Sequence, residues 1–159
     1  MVARMSESQS PKRLSNLVVE RQQKLIEEFT QIPSWEDRYK RLIEHGKKLA
    51  PLSAELHDEK FKVRGCQSQV WLHAGLNADK TVHLQADSDA LIVKGLASLL
   101  VEVYSDASPG DILTAPTTFL KELGFEGHLS PSRANGLYAM LKQILLYAQA
   151  FQALASMGR

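Results

Sequence analysis

The fold is decided by the run Thr81-Val82-His83-Leu84-Gln85-Ala86, in which apolar and polar side chains alternate without a break. Successive side chains of a β-strand point to opposite faces, so this alternation predicts a half-buried strand. Val82, Leu84 and Ala86 share one face of that strand, and we expect them to point into the core.

Two shorter stretches upstream alternate in the same way. They are Phe61–Val63 and Val70–Ala74, and a turn at residues 77–80 separates the second of them from the Thr81–Ala86 run. Three short strands in sequence, joined by tight connections, predict an antiparallel meander with one buried face.

Helical periodicity brackets the predicted sheet on both sides. Before it, a helix beginning near Leu17 stops ahead of Pro33, and a second starts at Ser34 with Asp37 in a capping-box arrangement. After it, three helices are predicted, and the chain is expected to break at Pro109-Gly110 between the first two. The first is a central helix from Ala90 to about Ser105, capped by Asp89 and with Leu91 in its apolar stripe. The second is a short helix from Pro116 to Gly124, and the last runs from Ser130-Pro131 to about Ala155. The sequence therefore predicts an α+β fold, a three-stranded antiparallel sheet packed against helices from both ends of the chain.

Length and charge exclude several classes of protein. The 159 residues suit one domain, which we assign to residues 16–159, with the polar residues 1–15 as a disordered tail. The 19 basic and 18 acidic residues form no basic block, which argues against nucleic acid or an anionic membrane as partner. No apolar run approaches the roughly 18 residues of a membrane span.

The single cysteine is the first candidate for chemistry. Cys66 follows Gly65 in a polar stretch between the first two predicted strands, and one thiol can neither close an intrachain disulfide nor hold a metal alone. An unpaired cysteine is most often a small buried hydrophobic residue. Here Gly65 gives the backbone freedom to present or withdraw the thiol, and the Arg64 cation favours the thiolate.

Three blocks of sequence resemble the SufE family of sulfur acceptors. The first is Gly65-Cys66-Gln67-Ser68-Gln69-Val70-Trp71, the second is Asp87-Ser88-Asp89-Ala90-Leu91-Ile92-Val93-Lys94-Gly95-Leu96, and the third is Leu129-Ser130-Pro131-Ser132-Arg133-Ala134-Asn135-Gly136-Leu137, with Met140 beyond it. The resemblance covers about residues 16 to 155. It implies a SufE/IscU-like fold.

The resemblance also implies a function. Such a protein takes sulfane sulfur from a pyridoxal phosphate-dependent cysteine desulfurase, of the SufS or CsdA kind, as a persulfide on Cys66. It stimulates that desulfurase and passes sulfur to an iron–sulfur scaffold complex. The chain would then be a sulfurtransferase-like carrier without a cofactor of its own, because the pyridoxal phosphate belongs to the desulfurase. A persulfide is easily reduced or oxidised, so we expect Cys66 to be sheltered in an apolar pocket in the free protein and to swing outward on docking.

Several residues around the cysteine are candidates for supporting or partner-binding roles. Gln67 and Gln69 could hydrogen-bond the cysteine loop, and Asp87 could contact the partner or restrain that loop. His128 fits the family pattern but could equally be a surface residue. Arg133 falls near the third position of the last helix, where a cation opposes the helix dipole at a cost of about 0.3–1 kcal/mol. It could serve a thiolate, a persulfide or a partner carboxylate, or be an exposed arginine paired with a nearby acid.

Other functions are weighed against the sulfur carrier. A hydrolase or peroxidase would need a histidine within about 3 Å of the thiol, and an iron–sulfur scaffold would need about three or four ligands. His73 and His83, facing each other across neighbouring strands, would make a poor metal site without a third ligand. The main rival is an adaptor that activates a desulfurase without covalent sulfur transfer.

Location and assembly are only partly constrained by the sequence. A single cysteine suits a reducing compartment, so a bacterial-type cytoplasmic location is expected. Organelle import is the less favoured alternative, because the polar N-terminal segment is short and contains Glu7. A homodimer of the free protein is compatible with the sequence, provided that it leaves Cys66 accessible.

Overall fold

The computed structural model describes residues 15–65 and 68–157, apart from the side chain of Glu126. Helices α1 (Leu17–Thr30) and α2 (Trp35–Lys47) lead through two short 3₁₀ turns, Ala54–Leu56 and Glu59–Phe61, into strands β1 (Val70–Leu76) and β2 (Val82–Ser88). Helices α3 (Leu91–Tyr104), α4 (Pro109–Thr114), α5 (Phe119–Glu122), a 3₁₀ turn at Glu126–His128 and helix α6 (Pro131–Met157) follow. The fold is α+β. The predicted tail, residues 1–15, lies almost wholly outside the described residues.

The sheet of the described residues has two strands, where the sequence predicted three. β1 and β2 pair antiparallel, with Val70 opposite Ser88 and Leu76 opposite Val82. The third predicted strand, Phe61–Val63, contributes only an isolated bridge between Lys62 and Trp71. The reason is local: Phe61 ends a 3₁₀ turn, and Gly65 turns the chain at a φ of 91°, so the extended stretch is too short to form a strand.

The inner face of the sheet packs on helix α3. Val82, Leu84 and Ala86 are at most 2 % exposed, which confirms the face assigned to them from the alternation. The core continues from α3 to the helices on either side of it, and its largest fully buried side chains are Tyr104, Phe29, Phe119 and Phe125.

The helix boundaries predicted from the sequence are largely confirmed. Ser34 caps α2 by accepting a hydrogen bond from the N–H of Asp37 at 3.1 Å, and Ser130 precedes Pro131 at the start of α6. The Pro109-Gly110 pair was predicted to break the chain but opens α4, because Ser108 caps a helix whose first residue is proline. The helix predicted from Pro116 begins only at Phe119.

A buried histidine joins the three helices α1, α2 and α3. His45, 5 % exposed, places Nε2 2.7 Å from Glu28 and Nδ1 2.5 Å from Glu102. A carboxylate only accepts hydrogen bonds, so both ring nitrogens donate and His45 is an imidazolium. The hydrogen bond to Glu102 is the largest influence and, with Glu28, raises the pKa of His45 above its ordinary value, although burial opposes this.

This contact makes a prediction about stability. Because the pKa of folded His45 is raised, its contribution is complete below about pH 6.5, the unfolded value, and is lost as the pH rises through the folded pKa. We therefore expect the free energy of unfolding, measured in urea, to fall from pH 6 to pH 9. His45→Gln should remove most of that decline and cost about 2 kcal/mol at pH 6. His83→Gln, which alters an exposed histidine, should keep the decline, whereas an equal decline in His45→Gln would refute the assignment.

Candidate functional site

The cysteine loop, residues 64–69, connects Val63 to Val70, the first residue of β1. Cys66 and Gln67 themselves lie outside the described residues, so their predicted roles stay predictions. The chain on both sides of them is described. Val63 donates its N–H to the carbonyl of Val70 at 2.8 Å, which closes the loop at its base.

The approach to Cys66 is a left-handed turn against the last helix. Gly65 has a φ of 91°, a conformation that strains other residues, and a Cβ added there would lie 3.8 Å from the Cβ of Ala139 on α6. Gly65 and Arg64 are exposed. The turn requires a residue that tolerates positive φ, and the movement expected of Gly65 stays a prediction.

The exit from the loop is held by the segment that follows β2. Asp89 Oδ1 accepts from the N–H of Gln69 at 3.1 Å, and the Gln69 carbonyl accepts from Ser88 Oγ at 2.8 Å and from the Asp89 N–H at 3.3 Å. Asp89 was predicted to cap the central helix, and this was wrong. The cap residue is Ala90, whose N–H is satisfied by Ser88 Oγ at 3.2 Å, so the Asp89 carboxylate is left to hold the loop.

Asp87 lies opposite Trp71 on the outer face of the sheet, where its carboxylate contacts the side chains of His57 and Lys94. His57 Nε2 is 2.8 Å from Oδ2, while Lys94 Nζ at 3.3 Å and the N–H of Ser88 at 2.8 Å approach Oδ1. Burial is the largest influence and would raise the pKa of Asp87, but these three donors together lower it below the ordinary value. The group is a fixed carboxylate beside the cysteine loop.

His57 was not singled out from the sequence. It lies in the irregular segment 51–60, where no periodicity assigns a side chain to a face. Its ring stands edge-on to Trp71, with centroids 4.7 Å apart, and its Nδ1 is 3.1 Å from the Ser53 carbonyl. The alternation placed Trp71 on a strand, but nothing in the sequence indicated which residue covers it.

Arg133 is the third residue of α6, as expected, and its side chain is exposed. Its N–H donates to Ser130 Oγ at 3.3 Å, and no ion pair joins its guanidinium to an acidic residue of the described chain. Ala139, whose Cβ would lie 3.8 Å from a Cβ added at Gly65, is six residues further along α6, or about 9 Å along the helix axis. Arg133 and Ala139 are therefore more than one helical turn apart, and the role predicted for Arg133 stays a prediction.

His128 belongs to an aromatic cluster. Its ring stacks on Trp35 at a centroid distance of 3.7 Å and an interplanar angle of 17°, and its carbonyl accepts a hydrogen bond from the Tyr39 hydroxyl. Trp35 also packs against Phe125. One face of the His128 ring is therefore used in packing, although the residue is exposed.

The part of the chain that the structure describes contains no group of three or more histidine, cysteine, aspartate or glutamate side chains that could bind a metal ion. His73 and His83 do not face each other as predicted, because His73 lies opposite Gln85 and His83 lies opposite Gly75. His73 packs on Phe61, and His83 pairs with Asp106 at 2.9 Å.

Leu91 departs from its predicted burial. It was included in the apolar stripe of the central helix, yet it is 63 % exposed, whereas Val93 and Leu96 are at most 5 % exposed. The cause is its place as the first residue of α3, at the end that carries Asp89 and the cysteine loop. In residues 15–65 and 68–157, no helix is long and apolar enough to cross a membrane.

Comparison with known proteins accounts for most of the chain. The family model for SufE, described as an Fe–S metabolism associated domain, matches residues 23–148. A solution structure described as a hypothetical protein from Thermus thermophilus is similar at 27 % sequence identity and a TM-score of 0.71, covering 84 % of this chain and 96 % of its own. The chain belongs to the SufE family, whose domain is associated with iron–sulfur metabolism.

Proposed function

We propose that this protein is a sulfur acceptor that carries sulfane sulfur as a persulfide on Cys66. A pyridoxal phosphate-dependent cysteine desulfurase would supply the sulfur and be stimulated by the transfer, and iron–sulfur cluster assembly would receive it. The observation that carries the proposal is the match to the SufE domain over residues 23–148, a span that contains the chain's one cysteine.

The transfer is an exchange between two cysteines. The thiolate of Cys66 attacks the terminal sulfur of the desulfurase persulfide, and a new sulfur–sulfur bond forms on Cys66. The bond between the two desulfurase sulfurs breaks, and the desulfurase cysteine leaves as a thiolate. The step needs no external oxidant or reductant, and its rate depends on thiolate character and access. The pyridoxal phosphate supplies its chemistry on the desulfurase, before this step.

The described residues support such an exchange in two ways. The base of the loop is fixed by the bond between Val63 and Val70, and its exit is fixed by Asp89, so that the residues between them can be presented without unfolding the sheet. The exposed Arg64 guanidinium is two residues from Cys66, and a nearby cation stabilises a thiolate or persulfide anion.

Docking of the desulfurase would cover the loop end of the molecule, because the two sulfurs must come into contact. That end presents the exposed Leu91 side chain on α3 and the exposed Arg64 guanidinium. Arginine is enriched in protein interfaces, and docking there would bury the exposed Leu91 side chain. We expect the partner to offer an apolar recess and carboxylates here, and place the reaction in a reducing, cytoplasmic compartment.

The test is intact-mass spectrometry after incubation with a cysteine desulfurase and free cysteine. We expect the wild-type protein to gain about 32 Da, one sulfur atom, and dithiothreitol to reverse this gain. If the mass did not increase but the turnover of the desulfurase was still raised, the protein would be an adaptor and not a carrier. If no desulfurase tested produced a mass gain or was stimulated, both functions would be refuted.

A further inference from the structure

The last helix, α6, continues well past the core of the molecule. Ala148 is its last buried residue, and the helix runs on to Met157. Of residues 149–157, Phe151 is partly buried and packs against the core, and the other eight are exposed. In proteins most of the stability of a helix comes from the packing of an apolar face, and this part of α6 finds little such packing within the described chain.

The exposed side of this helix end is apolar. We give the name α6 stripe to Leu146, Ala150, Ala153, Leu154 and Met157. Their spacing of four, seven, eight and eleven residues from Leu146 places them on one side of the helix, in a band about 100° wide. Leu146 is 48 % exposed, Leu154 57 % and Met157 78 %, and both alanines are exposed as well. An apolar band of this width on a helix ordinarily packs against another element.

The α6 stripe carries no charge that would select a different kind of partner. Residues 143–157 contain no aspartate, glutamate, lysine or arginine, and the charged residues nearest to them in sequence are Lys142 and Arg159. A helix that binds a membrane surface carries lysine and arginine beside its apolar face, and a partner recognised through charge would need charges to meet. An uncharged apolar face is compatible with a second copy of itself, because no like charges come together when the two copies pair.

The order of large and small side chains fits an antiparallel pair of α6 helices. Successive gaps of four, three and four residues separate Leu146, Ala150, Ala153 and Met157, which is the spacing of contact positions in a coiled coil. With a two-fold axis between residues 150 and 153, Leu146 lies against Met157 of the second copy, and Ala150 lies against its Ala153. The alanine layers at the centre let the helices approach closely, and the leucine–methionine layers close the contact at both ends.

Strand β1 adds apolar surface at the same end of the molecule. A Cβ added at Gly65 would lie 3.8 Å from the Cβ of Ala139. Further along both elements, the Tyr147 hydroxyl donates to the Leu72 carbonyl at 3.4 Å, so β1 and α6 advance in the same direction. Leu76, the last residue of β1, therefore lies toward the C-terminal half of α6, and it is 45 % exposed.

We propose that the α6 stripe is the contact surface of a homodimer, in which two copies of this chain pair antiparallel through residues 146–157. The stripe is about 17 Å long, so the contact is smaller than the roughly 800 Å² per partner of a standard interface, and we expect a dissociation constant of about 10–100 μM. Ala139, at the cysteine loop, lies seven residues before Leu146, so the paired segment begins about 10 Å from that loop. The dimer does not depend on the proposed function.

The first measurement is the mass in solution by sedimentation equilibrium, from about 5 μM to about 500 μM protein, a range that brackets the expected dissociation constant. A reducing agent prevents Cys66 from joining two copies through a disulfide, and Cys66→Ser should give the same result. We expect the wild-type mass to rise from 17.7 kDa toward twice that value. A wild type that stays at 17.7 kDa throughout would overturn the dimer.

Ala150→Glu tests the surface, and Ala155→Glu is its matched control. Both alanines are exposed on α6, but Ala155 lies five residues further, about 140° around the axis and outside the α6 stripe. Each Ala150→Glu carboxylate must lose water at the apolar centre of the pair, so we expect association at least about tenfold weaker than in wild type. Ala155→Glu should associate as wild type does, and circular dichroism verifies that both variants are folded. Equal association of the two variants would overturn the assignment of the surface.

Cross-linking tests the antiparallel arrangement. In Cys66→Ser, which removes the natural thiol, Leu146→Cys and Met157→Cys each introduce a single cysteine. In the proposed pair, each of these positions lies about 17 Å along the axis from the same position of the second copy, whereas 146 and 157 lie opposite each other. A short bismaleimide should therefore link the two variants when they are mixed, and neither variant alone. Linkage within each variant alone would indicate a parallel pair and overturn the proposal.

These measurements also separate the dimer from other occupants of the surface and from the proposed function. If the wild type stayed monomeric and Ala150→Glu lost the stimulation of a desulfurase, the α6 stripe would be a contact for the desulfurase and the dimer would be refuted. A dimer that gains no sulfur, about 32 Da, would refute the carrier alone. Sulfur uptake by a protein that stays monomeric would refute the dimer alone.

Discussion

Cys66→Ser will take up no sulfur from a cysteine desulfurase and will lose nearly all stimulation of its turnover. A serine hydroxyl is not appreciably ionised at neutral pH and cannot form a persulfide, whereas a thiol of pKa about 8.5 has a reactive thiolate fraction. The gain of about 32 Da seen with wild type should be absent, and alanine production by the desulfurase should return to the rate without acceptor.

A chemical control accompanies this variant. Wild type alkylated on Cys66 by iodoacetamide has the same sequence but no free thiol, since the chain has no second cysteine. It should behave as Cys66→Ser does in both assays. The carrier mechanism would be contradicted if either protein kept most of the stimulation, because the stimulation would then come from docking alone.

The sheet could be read from the sequence because its signal is local. Alternation over Thr81–Ala86 decides which side chains are buried, and Val82, Leu84 and Ala86 are buried accordingly. The predicted first strand failed for a reason of length: Phe61–Val63 alternates over three residues only, between a 3₁₀ turn and the left-handed Gly65. Three alternating residues do not distinguish a strand from an isolated bridge.

The supporting contacts of the site could not be read in the same way, because they join residues far apart in sequence. His57 meets Asp87 across 30 positions, and Asp89 meets Gln69 across 20. Composition favoured Asp89 as a helix cap, since aspartate is common there, but Ser88 satisfies the Ala90 N–H and leaves the Asp89 carboxylate to the loop. Choosing Cys66 as the candidate reactive residue was easier, because the chain has only one cysteine.

Gly95 illustrates a constraint that periodicity hides. The sequence places it inside an apolar helix, where glycine is unfavourable relative to alanine by about 1 kcal/mol. The structure supplies the reason, because α2 crosses α3 at this point. A Cβ added at Gly95 would lie 2.5 Å from the carbonyl oxygen of Leu42, 2.7 Å from its Cγ and 3.0 Å from its carbonyl carbon.

Gly95→Ala is therefore expected to destabilise the protein, although alanine is the better helix former. Two of the three nearest atoms belong to the backbone of α2, so a change of side-chain rotamer cannot relieve the overlap and the helices must separate. Overpacking of this kind costs about 3 kcal/mol, of which helix propensity returns about 1. A net loss of about 2 kcal/mol should lower Tm by roughly 4–8 °C for a chain of this size, measured by circular dichroism.

Gly127→Ala is the matched control for this substitution. A Cβ at Gly127 meets no atom within 4 Å, and its φ is not in the left-handed region, so the same chemical change should leave Tm within about 2 °C of wild type. A Gly95→Ala protein as stable as Gly127→Ala would mean that α2 and α3 can separate freely at their crossing. Asp89 and Leu91 lie at the start of α3, so such freedom would also leave the loop end of the molecule without the rigid support on which presentation of Cys66 depends.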